Sequence, residues 1–320
     1  MIDYSFVVPI FNDGQLGYDF CKEFERVLTN YLSTKDISSQ VELIFVNDGS
    51  FNDSLEHLRK IATTHKFVKV IDLSRNFGQH NALSCGYKFA TGKFVGMLNV
   101  DMQDPPDQIP LMLGRIKMGD IDLVLGLRSK RAGPMWESFS SKLFAWLLNR
   151  LTGTNTPLNV ATLRIMSRRF VDAYNALTEK SRFIPGLESW LGFTKAFIDI
   201  RHQARQQGRS SYNFRRRARM AFESILSFSD IPLRTVALLG GAIAVFGLLL
   251  GILLICQKLF FLDMQPGYTS TVVIVVFLGG VQILVTGLAS LYIGRILKEV
   301  QNRPLFIVKE LINYERRSDS

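Results

Sequence analysis

The sequence predicts an α/β protein with a mostly parallel sheet, followed by a two-span membrane anchor. Three observations predict it. Short apolar runs alternate with segments of helical periodicity through the first 130 residues. Each apolar run ends in polar residues. Two uncharged stretches, 235–256 and 269–293, occupy the last third of the chain.

The elements follow in order. Residues 5–10 form the first strand, and Phe11-Asn12-Asp13-Gly14 turns. Leu16, Phe20, Phe24, Val27, Leu28 and Tyr31 are apolar at helical spacing. Val41–Val46 is the second strand and ends in Asn47-Asp48-Gly49-Ser50. A helix runs through Leu55, Leu58 and Ile61, and Phe67–Leu73 is the third strand. Arg75-Asn76-Phe77-Gly78 then leads into a helix from Ala82 to Phe89. Lys93–Leu98 is the fourth strand, and Leu123–Gly126 is a further one. Strands alternating with helices imply parallel pairing by right-handed crossovers. Such sheets bind ligands at the carboxyl ends of their strands. Asn12 and Asp13, Asp48 and Ser50, Arg75 and Asn76, and Asp101 and Gln103 all fall there, which argues for a nucleotide site.

The fourth strand feeds Asn99-Val100-Asp101-Met102-Gln103-Asp104, and Pro105-Pro106 ends regular structure. Oxygen donors at Asp101, Gln103 and Asp104 suit a hard divalent cation, Mg2+ or Mn2+, shared with a substrate phosphate. A polar turn without metal is the competing reading of this stretch. Asp101, Asp104 and Arg128 are the candidate catalytic residues. The cations of Leu127-Arg128-Ser129-Lys130-Arg131 read as a diphosphate clamp or a solvated loop. Residues 139–151 are amphipathic and suit a membrane surface or a core equally. Arg164 sits between apolar neighbours, and Ser210-Ser211-Tyr212 lies in a basic loop from Arg205 to Arg219.

The net charge of +10 implies an anionic partner: nucleic acid, lipid headgroups or a phosphorylated substrate. Three scattered cysteines are too few for a disulfide framework. The opening residues have no basic, apolar leader pattern and read as the first strand. Each uncharged stretch exceeds the roughly 20 residues needed to span hydrocarbon, which favours a bilayer over nucleic acid. Arginines at 215, 216, 217, 219 and 234 precede the first span, and Arg295, Lys298 and Arg303 follow the second. Positive flanks stay inside, so both ends are expected in the cytoplasm, with residues 257–270 as the outer turn. The expected organisation is a cytoplasmic domain over 1–212, a juxtamembrane amphipathic helix over 213–233, two membrane helices over 234–296 and a cytoplasmic tail over 297–320. Gly240, Gly241, Gly247, Gly279, Gly280 and Gly287 permit close helix contacts, including those of a homo-oligomer.

Several pieces carry a resemblance. They are Val8-Pro9-Ile10-Phe11-Asn12-Asp13, Asn47-Asp48-Gly49-Ser50, Ser74-Arg75-Asn76-Phe77-Gly78, Asp101-Met102-Gln103-Asp104-Pro105-Pro106, Gly126-Leu127-Arg128, Leu163-Arg164-Ile165-Met166-Ser167-Arg168 and Arg303-Pro304-Leu305. In this order, with two spans behind them, the chain resembles the membrane-anchored polyprenyl-phosphate glycosyltransferases of glycosyltransferase family 2. That group includes undecaprenyl-phosphate glucosyltransferases and dolichyl-phosphate mannose synthases. The resemblance implies a GT-A fold, a UDP-sugar donor, a polyprenyl phosphate acceptor, Mg2+ or Mn2+, and an inner-membrane location. Pro9, Phe11, Asn12, Asp13 and Asp48 would hold uridine and ribose, with Ser50 and Asn76 beside them. Asp101 and Gln103, with Asn99, would bind the metal. Arg128, Arg131, Arg164 and Arg205 would face phosphates, and Ser210 and Tyr212 would belong to a loop closing over the donor.

Two positions depart from the family pattern. Asn99 stands where an Asp-x-Asp motif has its first aspartate, and Thr162 stands where relatives have the aspartate of Gly-Asp-Phe-Arg. Ser211 also replaces a common lysine. Asn99 and Thr162 keep open a catalytically weak scaffold subunit; a polysaccharide-extending membrane enzyme is the other alternative, and two spans argue against it.

Overall fold

A computed structural model describes residues 2–128, 157, 159–201, scattered helical residues between 238 and 252, and 267–314. The chain divides into two units. The first comprises residues 1–214 and 304–320, the second residues 215–303.

The first unit is built on an eight-stranded mixed sheet. Its strands are β1 (Tyr4–Ile10), β2 (Val41–Asn47), β3 (Val68–Leu73), β4 (Phe94–Met97), β5 (Leu123–Arg128), β6 (Val160–Ser167), β7 (Lys195–Ile200) and β8 (Val308–Ile312). Their order is β7-β5-β6-β4-β1-β2-β3-β8. The central β1, β2, β3 and β4 are parallel, as the alternation predicts. β5 and β7 are parallel to each other. β6 lies antiparallel between β4 and β5, and β8 lies antiparallel to β3. The carboxyl ends of β1 through β5 and the amino end of β6 therefore share one edge.

The helices of this unit are α1 (Gly17–Leu32), α2 (Ser54–Thr64), α3 (Gln79–Phe89), α4 (Ile109–Ile116), α5 (Arg168–Ala176) and α6 (Ile184–Trp190). α1 buries Phe20, Phe24, Val27 and Leu28, the face its spacing predicts. Phe24 meets Phe6 edge to face at 5.0 Å between centroids and stacks on Phe67 at 6.2 Å. Fully burying each such ring contributes about 1.5–3 kcal/mol by area. β2 is buried along its whole length, as a central parallel strand must be.

The structure departs from expectation at the C-terminus. Residues 297–320 are not simply a tail, because Val308–Ile312 forms the sheet's edge strand. Ser74 N–H donates to the Ile307 carbonyl at 2.9 Å. Arg59 pairs with Glu310, and Asn313 Nδ2 donates to the carbonyls of Ala62 and, at 3.0 Å, Val68.

In the second unit, α7 (Tyr268–Val300) contains the one helix among the described residues long and apolar enough to cross a membrane, Phe277–Val300. It covers the second expected span. The first span is described only at isolated helical residues, and the amphipathic helices expected over 139–151 and 213–233 lie outside the described residues.

A chain ending at Arg303 should lose thermal stability and gain a tendency to associate, because β3 then exposes an unpaired edge. Asn313→Ala should cost about 1–2 kcal/mol, since two backbone carbonyls lose a donor. Thermal unfolding in detergent, followed by circular dichroism and light scattering, checks both.

Candidate active site

The sheet edge at the ends of β1, β2 and β3 is built by side chains bonding to loop backbone. Asn12 takes a left-handed conformation at φ 63°, which asparagine tolerates. Its N–H donates to Ser50 Oγ at 2.9 Å, and its Oδ1 accepts from Phe51 N–H at 3.1 Å. Ser50 Oγ donates in turn to Asn47 Oδ1 at 2.6 Å, and Asn47 Nδ2 donates to Asp72 Oδ1 at 2.7 Å. Asp48 is buried and accepts from the N–H groups of Phe77 at 2.7 Å and Gly78 at 2.9 Å. Burial pushes its carboxyl above the usual range, against the pull of those two amides and of Arg75. Gly49 sits between, at φ 63°, and a Cβ there would lie 2.2 Å from the Arg75 carbonyl carbon. Only glycine fits that approach.

This half brings together Phe11, Asn12, Asp13, Asp48, Ser50 and Asn76 at one edge, while Pro9 lies inside β1 opposite Val46. It also presents two features that the pattern passes over. Phe51 is 85% exposed and packs edge to face on Phe11, 5.8 Å between centroids. The Arg75 guanidinium stacks over Phe77 at 4.2 Å. An exposed large aromatic beside a strand-end turn was the available signal for Phe51.

The other half lies at the ends of β4 and β5 and the start of β6. Asp104 is only 3% exposed and is the central tie. It accepts from Arg128 Nε at 3.1 Å and Nη2 at 3.0 Å, a bidentate fork, and from Thr162 N–H at 2.9 Å. Asn159 secures the same strand ends, accepting from Arg128 N–H at 2.9 Å and donating to the Arg128 carbonyl at 2.8 Å. The loop after β4, β5 and β6 are thereby joined through one carboxylate.

Asp101 is half-buried, with its Oδ1 accepting from Gln103 N–H at 3.2 Å across Met102, which is left-handed at φ 52°. Asn99 Nδ2 donates to Thr162 Oγ1 at 3.2 Å. Gln79 Nε2 reaches toward Asn99 Oδ1 at 3.5 Å. Among the described residues no group of three or more His, Cys, Asp and Glu could hold a metal. The oxygens of Asp101, Gln103 and Asn99 are one carboxylate and neutral amides, hard donors of the kind Mg2+ or Mn2+ takes.

Two expectations about arginines change. Arg128 is held against Asp104, so any phosphate contact falls to the remaining part of its fork. Arg164 does not open on a phosphate pocket: it is 6% exposed and pairs with Glu188. Its Nε donates to the Thr162 carbonyl at 3.1 Å, so it braces β6 from within. Arg131, Arg205, Ser210 and Tyr212 lie outside the described residues. His80, on α3, carries an Nδ1 without a hydrogen-bond partner among the described residues, and burial, with the Arg164 charge, pushes its imidazole down to about 4.

Comparison with known proteins gives a consistent result. The family model described as glycosyl transferase family 2 matches residues 5–174. An uncharacterized glycosyltransferase of Synechocystis is 34% identical over 98% of this chain and 97% of its own. A prophage-derived bactoprenol glucosyl transferase of Shigella flexneri is 34% identical over 96% of this chain and 97% of its own. An undecaprenyl-phosphate 4-deoxy-4-formamido-L-arabinose transferase of Pseudomonas savastanoi is 32% identical over 96% of this chain and 90% of its own.

Asp104→Asn should destabilise the fold by about 1–3 kcal/mol, because the Arg128 fork loses its charge partner. Equilibrium unfolding checks this. The depressed His80 value makes a pH prediction. The unfolded chain binds a proton near 6.5 and the folded chain only near 4, so stability should fall as pH drops through that window. His80→Phe should flatten the fall, as read by melting temperature against pH.

Proposed function

The chain belongs to glycosyltransferase family 2, and from that premise we propose that it transfers a sugar from a UDP-sugar to the phosphate of a membrane polyprenyl phosphate, releasing UDP. The observation that carries this reading is the near-full-length similarity to relatives named for bactoprenol and undecaprenyl phosphate, across both the α/β unit and the apolar segment.

The chemistry fits the residues at the edge. A phosphate oxygen of the lipid attacks the anomeric carbon, the bond to the UDP oxygen breaks, and the configuration inverts. A phosphate monoester has a second pKa near 6 and arrives largely dianionic, so no side chain has to take its proton. That suits an edge where Asp104 is tied to Arg128 and Thr162. A hydroxyl acceptor would need a base, which disfavours the polysaccharide-extending alternative.

Asn12, Asp48 and Ser50 frame the nucleoside end, with Phe11 and Phe51 as apolar cover. Asp101 and Gln103, with Asn99, would hold Mg2+ or Mn2+. The cation would neutralise charge building on the departing diphosphate. Arg128 stands at the same edge with its orientation fixed by Asp104, a preorganised positive charge for the leaving group. The two uncharged stretches, with basic flanks, would anchor this unit at the cytoplasmic face of the inner membrane as a two-pass hairpin. The acceptor is then presented in two dimensions at the bilayer surface.

Purified in detergent with undecaprenyl phosphate, Mg2+ and radiolabelled nucleotide sugars, the protein should move label into a lipid fraction. Asp101→Ala should lower that transfer at least about 100-fold, and EDTA should do the same. UDP binding without lipid labelling from any donor would instead support the scaffold alternative.

A further inference from the structure

Gln282 lies midway along the uncharged stretch 269–293, on α7. Its side-chain amide both donates and accepts hydrogen bonds. In hydrocarbon no water serves such a group, so it needs a partner from protein. The hydroxyls beside it are satisfied along their own helix. Thr286 Oγ1 donates to the Gln282 backbone carbonyl at 2.8 Å, and Ser290 Oγ donates to the Thr286 carbonyl at 2.8 Å. The Gln282 side chain makes no hydrogen bond among the described residues.

The first apolar stretch of the same chain does not supply that partner. Residues 236–255 contain no side chain that donates or accepts a hydrogen bond. Backbone N–H groups of a membrane helix are spent within that helix, so none is left for Gln282 Oε1. On α7, Gln282, Ile283, Thr286, Gly287 and Ser290 are exposed and, with Gly279, line a groove of about 520 Å³. Val281 and Leu288, on the opposite side of the helix, are half-buried. The open side of α7 is thus its polar side, the reverse of what a lipid-facing surface requires.

A second copy of this helix provides the match. Copies inserted in the same direction meet as parallel neighbours about a two-fold axis along the bilayer normal, which sets Gln282 at the same depth in both. An amide is its own complement, each Nε2 donating to the other Oε1. Gly279 and Gly287 flank Gln282 and let the two backbones approach closely. We propose that the polar face of α7 is a homodimer interface closed by reciprocal hydrogen bonds between the two Gln282 amides. This rests on the membrane-anchor reading above.

The test uses the full chain, labelled with donor or acceptor dye and reconstituted in vesicles of phosphatidylethanolamine and phosphatidylglycerol. Energy transfer is followed as lipid dilutes the protein. Wild type should show transfer that dilution reverses. Gln282→Leu should raise the dissociation constant about three- to thirtyfold, the range of an interhelical hydrogen bond in a bilayer. Gln282→Asn, which keeps the amide, should retain most of the association. Gly287→Ile should weaken association by holding the backbones apart. Melting temperatures in detergent verify folding, and if Gly287→Ile fails to fold, the Leu and Asn pair decides alone. Association of Gln282→Leu equal to that of wild type would overturn the proposal. Wild type that stays monomeric at every dilution would leave a lipid as the occupant of the groove and overturn it too. Protein that does not float with the vesicles after a carbonate wash would strike at the anchor reading itself, a result distinct from any change in association among membrane-bound variants.

Discussion

A buried carboxylate governs this sheet edge. Asp104 leaves water almost completely, and a charge so placed needs partners of matching strength. It finds them in the Arg128 fork and the Thr162 amide, which belong to two different strands. Because neither bond can lapse without stranding a charge, the loop after β4 is pinned to the ends of β5 and β6. The position of Asp101 three residues earlier follows from that pin. On the other side of the edge Asp48 does comparable work, holding the loop after β3 by two amides. Both halves of the edge are organised by acids directed inward.

Two ions of the edge are committed to the fold: Asp104 is held by Arg128 and the Thr162 amide, and Arg164, one of the arginines expected to meet phosphate, neutralises Glu188. Among the described residues the exposed side of the edge mixes neutral and aromatic groups, Asn99, Gln79, Thr162, Phe11 and Phe51, with the charges of Asp13, Arg75 and Asp101. Fixed dipoles and charges of that kind can stabilise a charged ligand without asking any side chain to change protonation.

Much of the fold was legible because central parallel strands are apolar runs bounded by polar turns. β1 to β4 and their helices carry that signature plainly, and the convergence of Asn12, Asp48, Asn76 and Asp101 follows from strand direction alone. The outer strands were not legible for a physical reason. β7 and β8 are edge strands with half-exposed, mixed sequences, Lys195–Ile200 and Val308–Ile312, that periodicity does not separate from loop. The antiparallel setting of β6 depends on pairing with β4 and β5, which no local pattern encodes. Arg164 illustrates the same limit at the site. Its partner lies 24 residues away, on helix α6, so its spacing reveals a cation among apolar neighbours and nothing of where the charge is spent.

The last strand of the sheet is encoded after the apolar helix. A ribosome therefore delivers Val308–Ile312 only once Tyr268–Val300 has been made. Throughout that interval β3 waits with one side unpaired. Completion of the α/β unit is thus timed by synthesis of the long apolar helix, and a nascent chain arrested before residue 308 carries a sheet with an open border. Vectorial synthesis turns a C-terminal strand into a checkpoint: the sheet is finished only in chains that have already produced that helix.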